Sequence, residues 1–84
     1  MTSVEERVKR IIADILGLDE KEVTPDLNFV EDIGIESLDK VEMTAAMEEE
    51  FDIEIPDEEA ERNLTVGQTI DYIERKLKEK STSP

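Results

Sequence analysis

Ser37, in the stretch GIESL, is the residue best placed to do chemistry. It lies between an acid and a leucine, where a loop pattern gives way to a helical one. A serine nucleophile usually needs a base beside it, most often histidine. The chain has no histidine and no cysteine. The usual general base, the commonest transition-metal ligand and every thiolate site are therefore missing, and the composition points away from catalysis by the chain itself. Two roles remain for Ser37. As an N-cap, its oxygen would accept a hydrogen bond from an orphan amide of the first helical turn. As a modified residue, it would hold a phosphoester where free N–H groups and the positive dipole end favour an anion. Spacing alone favours the cap.

The second chemical feature is the carboxylates. Asp and Glu number 24 against 10 Lys and Arg, a formal net charge of −14. Fourteen of the acids lie between Glu31 and Glu61, with Lys40 the one base among them. Such a surface repels nucleic acid and anionic membranes and suits basic protein partners. No D-x-[DN]-x-[DN]-G calcium loop occurs, and the acids fall mostly on helical segments.

The elements that must position these groups read as helices. In SVEERVKRIIADILG, Val4, Val8, Ile11, Ile12, Ile15 and Leu16 share one helical face. Ser3 with Glu6 gives a capping-box signal, and Gly17 suits the C-terminal turn. Residues 18–36 lose the periodicity, and Pro25 disfavours helix just before it. Here Leu27, Phe29, Val30 and Ile33 are expected to pin a long ordered loop to the core, a type of segment that is often functional. SLDKVEMTAAMEEEF is the second helix, and DEEAER a short one with Asp57 as cap. LTVGQTIDYIERKLKEK is the last helix, capped by Thr65 and Gln68, with basic residues toward its C-terminal end. The expected fold is all-α: a small bundle of three main helices plus one short helix, with a long ordered loop between the first and second. Residues 1–79 would form a single domain and 80–84 a frayed tail. No apolar run approaches the ~20 residues of a membrane span. No secretory pattern opens the chain, so a cytoplasmic location is expected.

The second helix carries two apolar stripes. Met43, Met47 and Phe51 recur at four-residue steps on one line; Leu38, Val41 and Ala45 fall on another, bordered by Glu42, Glu48 and Glu49. Either the helix is sandwiched and both stripes are core, or one stripe forms an apolar strip rimmed by acid for docking a basic partner. Lys40 lies near the Met47/Phe51 line and must reach outward past it.

FVEDIGIESLDKVEM resembles the F-x-E-D-L-G-x-D-S-L-D-x-V-E-L signature of the acyl carrier proteins of fatty-acid synthesis, and EEEFDIEIPDEEAE is similar to that family's acidic stretch. VEERVKRIIADILG and TVGQTIDYI also fit, so the likeness runs from about Val4 to Leu77. The resemblance implies a non-enzymatic carrier with 4′-phosphopantetheine attached covalently to Ser37. A phosphopantetheinyl transferase would install the arm from coenzyme A, and acyl chains would ride on its thiol. Ser37 would then be an anchor, with no need of a histidine in turnover. The resemblance further implies that Glu36, Asp39, Glu42, Glu48 and Glu49, with Leu38 and Val41 as apolar contacts, meet basic patches on acyl-processing enzymes. Phe29, Ile33, Met47, Ile55, Ala60 and Tyr72 would lie near an acyl-chain cavity. The carrier would act as a monomer.

The chain departs from the family pattern at Glu36, where Asp is usual, and at Lys40, Thr44, Ala45 and Asn63. These differences imply a specialised carrier serving a dedicated pathway. A carrier of aminoacyl, peptidyl or polyketide groups and an unmodified acidic interaction module are the alternatives. The crowding of acids generates one prediction that holds for all of these. Diffuse divalent binding should relieve the repulsion, so added magnesium should raise the melting temperature; an unchanged melting curve removes the idea.

Overall fold

A computed structural model describes residues 3–82, with side chains for 3–80. The described chain is all-α. Helix α1 spans Val4–Leu16, α2 Ser37–Phe51, α3 Asp57–Arg62 and α4 Val66–Thr82. Among the described residues there is no strand, only one antiparallel bridge between Asn28 and Thr65, and no helix is long and apolar enough to cross a membrane.

Local chemistry explains the helix ends. Ser3 Oγ accepts from the Glu6 N–H at 3.1 Å, and Gly17 closes α1 in the left-handed region at φ 69°, a conformation that costs glycine little. Thr65 and Gln68 form the expected reciprocal cap of α4. The Gln68 N–H donates to Thr65 Oγ1 (3.1 Å), while Gln68 Oε1 accepts from the N–H groups of Leu64 and Thr65 (2.8 and 3.0 Å). Helix α4 continues through Thr82, into the stretch expected as a tail; residues 83–84 lie outside the described residues. Pro56, and not Asp57, occupies the cap position of α3. Proline has φ already near the helical value and no N–H to leave unpaired, so it precedes a helix easily.

Helix α1 packs against both α2 and α4, whereas α2 and α4 stand further apart. Val8 and Ile12 of α1, Met43, Met47 and Phe51 of α2, and Val66, Ile70 and Ile73 of α4 meet in one core. Phe29, Val23 and Ile55 enter it from the connecting segments. The loop between α1 and α2 is ordered, as expected, but it contains a 3-10 turn at Glu20–Glu22 and a π-helical turn at Phe29–Ile33. Phe29 is buried and Leu27 half-buried. Val30, expected to pin the loop, is exposed instead, because the turn that buries Phe29 rotates its neighbour into solvent.

Ion pairs link the terminal helices to the acidic middle. Arg7 of α1 bonds the Glu50 carboxylate at 2.8 Å, and its guanidinium lies 4.5 Å from the Phe51 ring centroid. Lys80 of α4 bonds both the carbonyl and the carboxylate of Asp52 (2.7 and 2.8 Å). That hydrogen bond, and then the charge of the ammonium, hold the Asp52 carboxyl below its usual range. Exposed pairs of this kind are screened by water and contribute little, so the apolar core carries the fold. Ile12 is fully buried where α1 meets its neighbours. Ile12→Ala should therefore lower unfolding free energy by about 2–5 kcal/mol in urea denaturation; a loss well under 1 kcal/mol would show the core is not formed as described.

Candidate functional site

Ser37 is the first residue of α2 and is exposed. It is not the cap. Glu36 takes that position, with extended backbone at φ −91° and ψ 164°, and the Glu36 N–H donates to Asp39 Oδ2 at 3.4 Å. An acid at the cap also suits the positive end of the helix dipole. With the capping position filled by Glu36, the Ser37 hydroxyl makes no hydrogen bond to any described residue, and Ser37 lines one end of a groove.

The preceding turn sets this position. Asn28 Oδ1 accepts from the N–H groups of Val30 and Glu31, both at 2.9 Å. The Asn28 N–H donates to Asp32 Oδ2 at 2.8 Å. Gly34 then reverses the chain at φ 67°, and the Ile35 N–H returns to the Phe29 carbonyl at 3.0 Å. The half-buried side chain of Ile35 packs against the core two residues before Ser37.

The groove runs from Ser37 between α2 and α3 and has a volume of about 610 Å³. Lys40, Val41, Thr44 and Glu48 form its α2 wall; Ala60 and Glu61 form its α3 wall. Behind it lies an inner cavity of about 30 Å³ between α2, α3 and α4. Lys40, Thr44, Ile55 and Ala60 border both spaces. Of the expected cavity residues, Phe29, Met47, Ile55, Ala60 and Tyr72 line the inner cavity. Ile33 does not; it ends the π-helical turn, half-buried, ahead of Gly34. Met43, Asn63, Thr69 and Ile73 also line the cavity. Met43 and Ile73 were readable as core, but no spacing rule brings Asn63 or Thr69 to this space.

The outer stripe of α2 faces solvent. Leu38 is 66% exposed and Val41 63%, and Ala45 is exposed beside them, while Met43, Met47 and Phe51 are buried. The helix is therefore not sandwiched. Glu36, Glu42 and Glu49 are exposed around this strip. Asp39 and Glu48 are half-buried and already engaged. Asp39 serves the first turn, and Glu48 Oε2 accepts the Ile55 N–H at 2.8 Å, holding the segment that follows α2.

Helix α3 has no buried residue of its own. It is held over the cavity by half-buried Ala60 and by Glu59, which accepts a hydrogen bond from the Tyr72 hydroxyl. Burial first, and then the Glu59 hydrogen bond, push the Tyr72 phenol up from its ordinary value of 10.0. The folded phenol thus keeps its proton where the unfolded one loses it. The associated stability is full below about pH 10 and falls as pH rises beyond it. Tyr72 is the sole tyrosine, so ultraviolet titration reports it alone. The midpoint should lie above 10.0 in the folded protein. Glu59→Gln should lower it without abolishing the rise; an unshifted midpoint in the wild-type protein would contradict the latch.

An exposed hydroxyl at a helix start, with no hydrogen bond to a described residue, thus borders a groove that shares lining residues with a largely apolar cavity. A family model described as the phosphopantetheine attachment site matches residues 6–73. That match takes in the loop, the groove, α2, α3, most of α1 and the start of α4, and so the chain belongs to the phosphopantetheine-attachment family, whose members bear a covalently attached 4′-phosphopantetheine.

Proposed function

We propose that the protein is an acyl carrier protein of the fatty-acid-synthesis type, with Ser37 as the attachment residue. The supporting observation is the Ser37 hydroxyl itself: exposed, free of hydrogen bonds to described residues, and set at the head of the groove. The site fits the group. The first turn of α2 offers free N–H groups and a positive dipole end to a phosphodiester, and the groove leads the remainder toward Met47, Ile55 and Ala60.

Installation needs no catalysis from this chain. The Ser37 oxygen displaces at the phosphorus of coenzyme A nearest the pantetheine. A phosphoester bond forms, the pyrophosphate bond breaks, adenosine 3′,5′-bisphosphate leaves, and the serine proton passes to a base of the transferase. Once bound, the group supplies a thiol that holds an acyl chain as a thioester. Ser37 then serves as anchor. Leu38 and Val41 give an apolar contact for each partner enzyme, and Glu36, Glu42 and Glu49 steer basic patches toward it, with Asp39 and Glu48 adding charge behind them. Weak exposed pairs acting together favour fast, salt-sensitive, reversible docking, which a shuttle needs in order to leave each enzyme. The departures at Glu36, Lys40 and Asn63 support a dedicated pathway over bulk fatty-acid synthesis.

Intact-mass measurement after incubation with coenzyme A and a phosphopantetheinyl transferase tests this. The wild-type chain should gain one phosphopantetheinyl group, and Ser37→Ala should gain none. Because the hydroxyl is exposed and unbonded, Ser37→Ala should change stability by less than about 0.5 kcal/mol. A wild-type chain that stays bare with every transferase tried, or a Ser37→Ala chain that is still modified, would overturn the assignment.

A further inference from the structure

Three polar side chains of the inner cavity have no work in the fold. Lys40 and Thr44, one turn apart on α2, and Asn63, just after α3, all line the cavity and are half-buried. None of the three side chains makes a hydrogen bond or ion pair with a described residue. Their cavity neighbours differ: Tyr72 donates to Glu59, Thr69 Oγ1 donates to the Thr65 carbonyl, and the rest are apolar. Lys40 is the one base between Glu31 and Glu61. Surrounded by that many carboxylates, it still forms no ion pair. Lys40 borders the groove as well as the cavity.

We propose that Lys40, assisted by Thr44 and Asn63, reads the carboxylate at the far end of a short dicarboxylic acyl cargo. This rests on the carrier reading and names its substrate class. An ammonium, a hydroxyl and a carboxamide together supply donors for a carboxylate, and apolar Met47, Ile55 and Ala60 line the same cavity as neighbours for the methylenes between. The phosphodiester at Ser37 is the other anion within reach of Lys40. Ser37, however, does not line the inner cavity, whereas all three polar groups do. Lys40 and Thr44 border both spaces and Asn63 the inner cavity alone, so the set extends past the groove of Ser37, and that assigns it to the end of the cargo.

The test loads the full chain with adipoyl or hexanoyl phosphopantetheine, using a transferase and the matching coenzyme A thioesters, beside the arm with a free thiol. Hydroxylamine cleavage of the thioester reports shielding, and the NMR signal of the Asn63 side-chain amide reports contact. Lys40→Met keeps the apolar stem and removes the charge. It should speed cleavage of the adipoyl thioester about threefold, the scale of a part-exposed ion pair, and leave the hexanoyl thioester unchanged. Lys40→Arg should restore the shielding. The Asn63 signal should shift with adipoyl and not with hexanoyl. Equal effects on both cargoes, no effect on either, or an Asn63 shift already complete in the free-thiol form would overturn the inference while leaving the carrier reading intact. The last result would assign Lys40 to the phosphodiester. A chain that takes up no arm at all would show as an unchanged mass, and would overturn the carrier reading itself and this inference with it.

Discussion

The site depends on a backbone clasp between the α1–α2 loop and the start of α4. The Val66 N–H donates to the Leu27 carbonyl at 3.1 Å, the Phe29 N–H to Leu64 at 2.9 Å, and the Gly67 N–H to Pro25 at 2.9 Å. The contact is close enough that a Cβ on Gly67 would come within 3.1 Å of the Pro25 oxygen, so glycine is the residue that lets the two segments meet. A loop of this length would otherwise sample many conformations. Fastened at its middle, it seats Phe29 beneath the cavity and leaves only a short path, through Gly34, to the first turn of α2. Ser37 is thus placed by a chain of backbone bonds that begins at the far helix.

The distribution of charge follows from the same architecture. Bases from α1 and α4 reach inward to acids of the middle third: Arg7 to Glu50, Lys80 to Asp52, and Lys76 to within 3.9 Å of Glu59. Those pairs brace the C-terminal end of α2 and hold α3, while Glu36, Glu42 and Glu49 are left around the exposed strip of Leu38 and Val41. The acids therefore divide between bracing and display. Lys40 stands apart from both groups: it borders the cavity and the groove and forms no ion pair with a described residue.

Much of this was legible in the residues themselves. The caps of α1 and α4 depend on side chains three residues apart, and the buried line of Met43, Met47 and Phe51 on simple helical spacing. Such local rules read directly from sequence. The cap of α2 did not, because a serine beside a glutamate is ambiguous until Asp39 is seen to reach back to the Glu36 amide and leave Ser37 the first helical residue. Val30 misled for a related reason: a π-helical turn has its own period, so scattered apolar residues gave no guide to which one is buried. The use of Glu48 to hold the Ile55 amide, and the meeting of Lys40 with Asn63, are tertiary facts that no spacing encodes. Phe29, Met47, Ile55, Ala60 and Tyr72 were named together through family likeness, and periodicity alone would have left them as ordinary core.

The central claim is that the bare hydroxyl at the head of α2 is a tether. Fragment mass spectrometry of the protein purified from its own cells, with thioesters preserved, tests it most directly. The expected result is a phosphopantetheine group on the fragment containing Ser37, with part of the population acylated at the thiol. A Ser37 fragment that is unmodified throughout, or an arm found on a different hydroxyl, would contradict it.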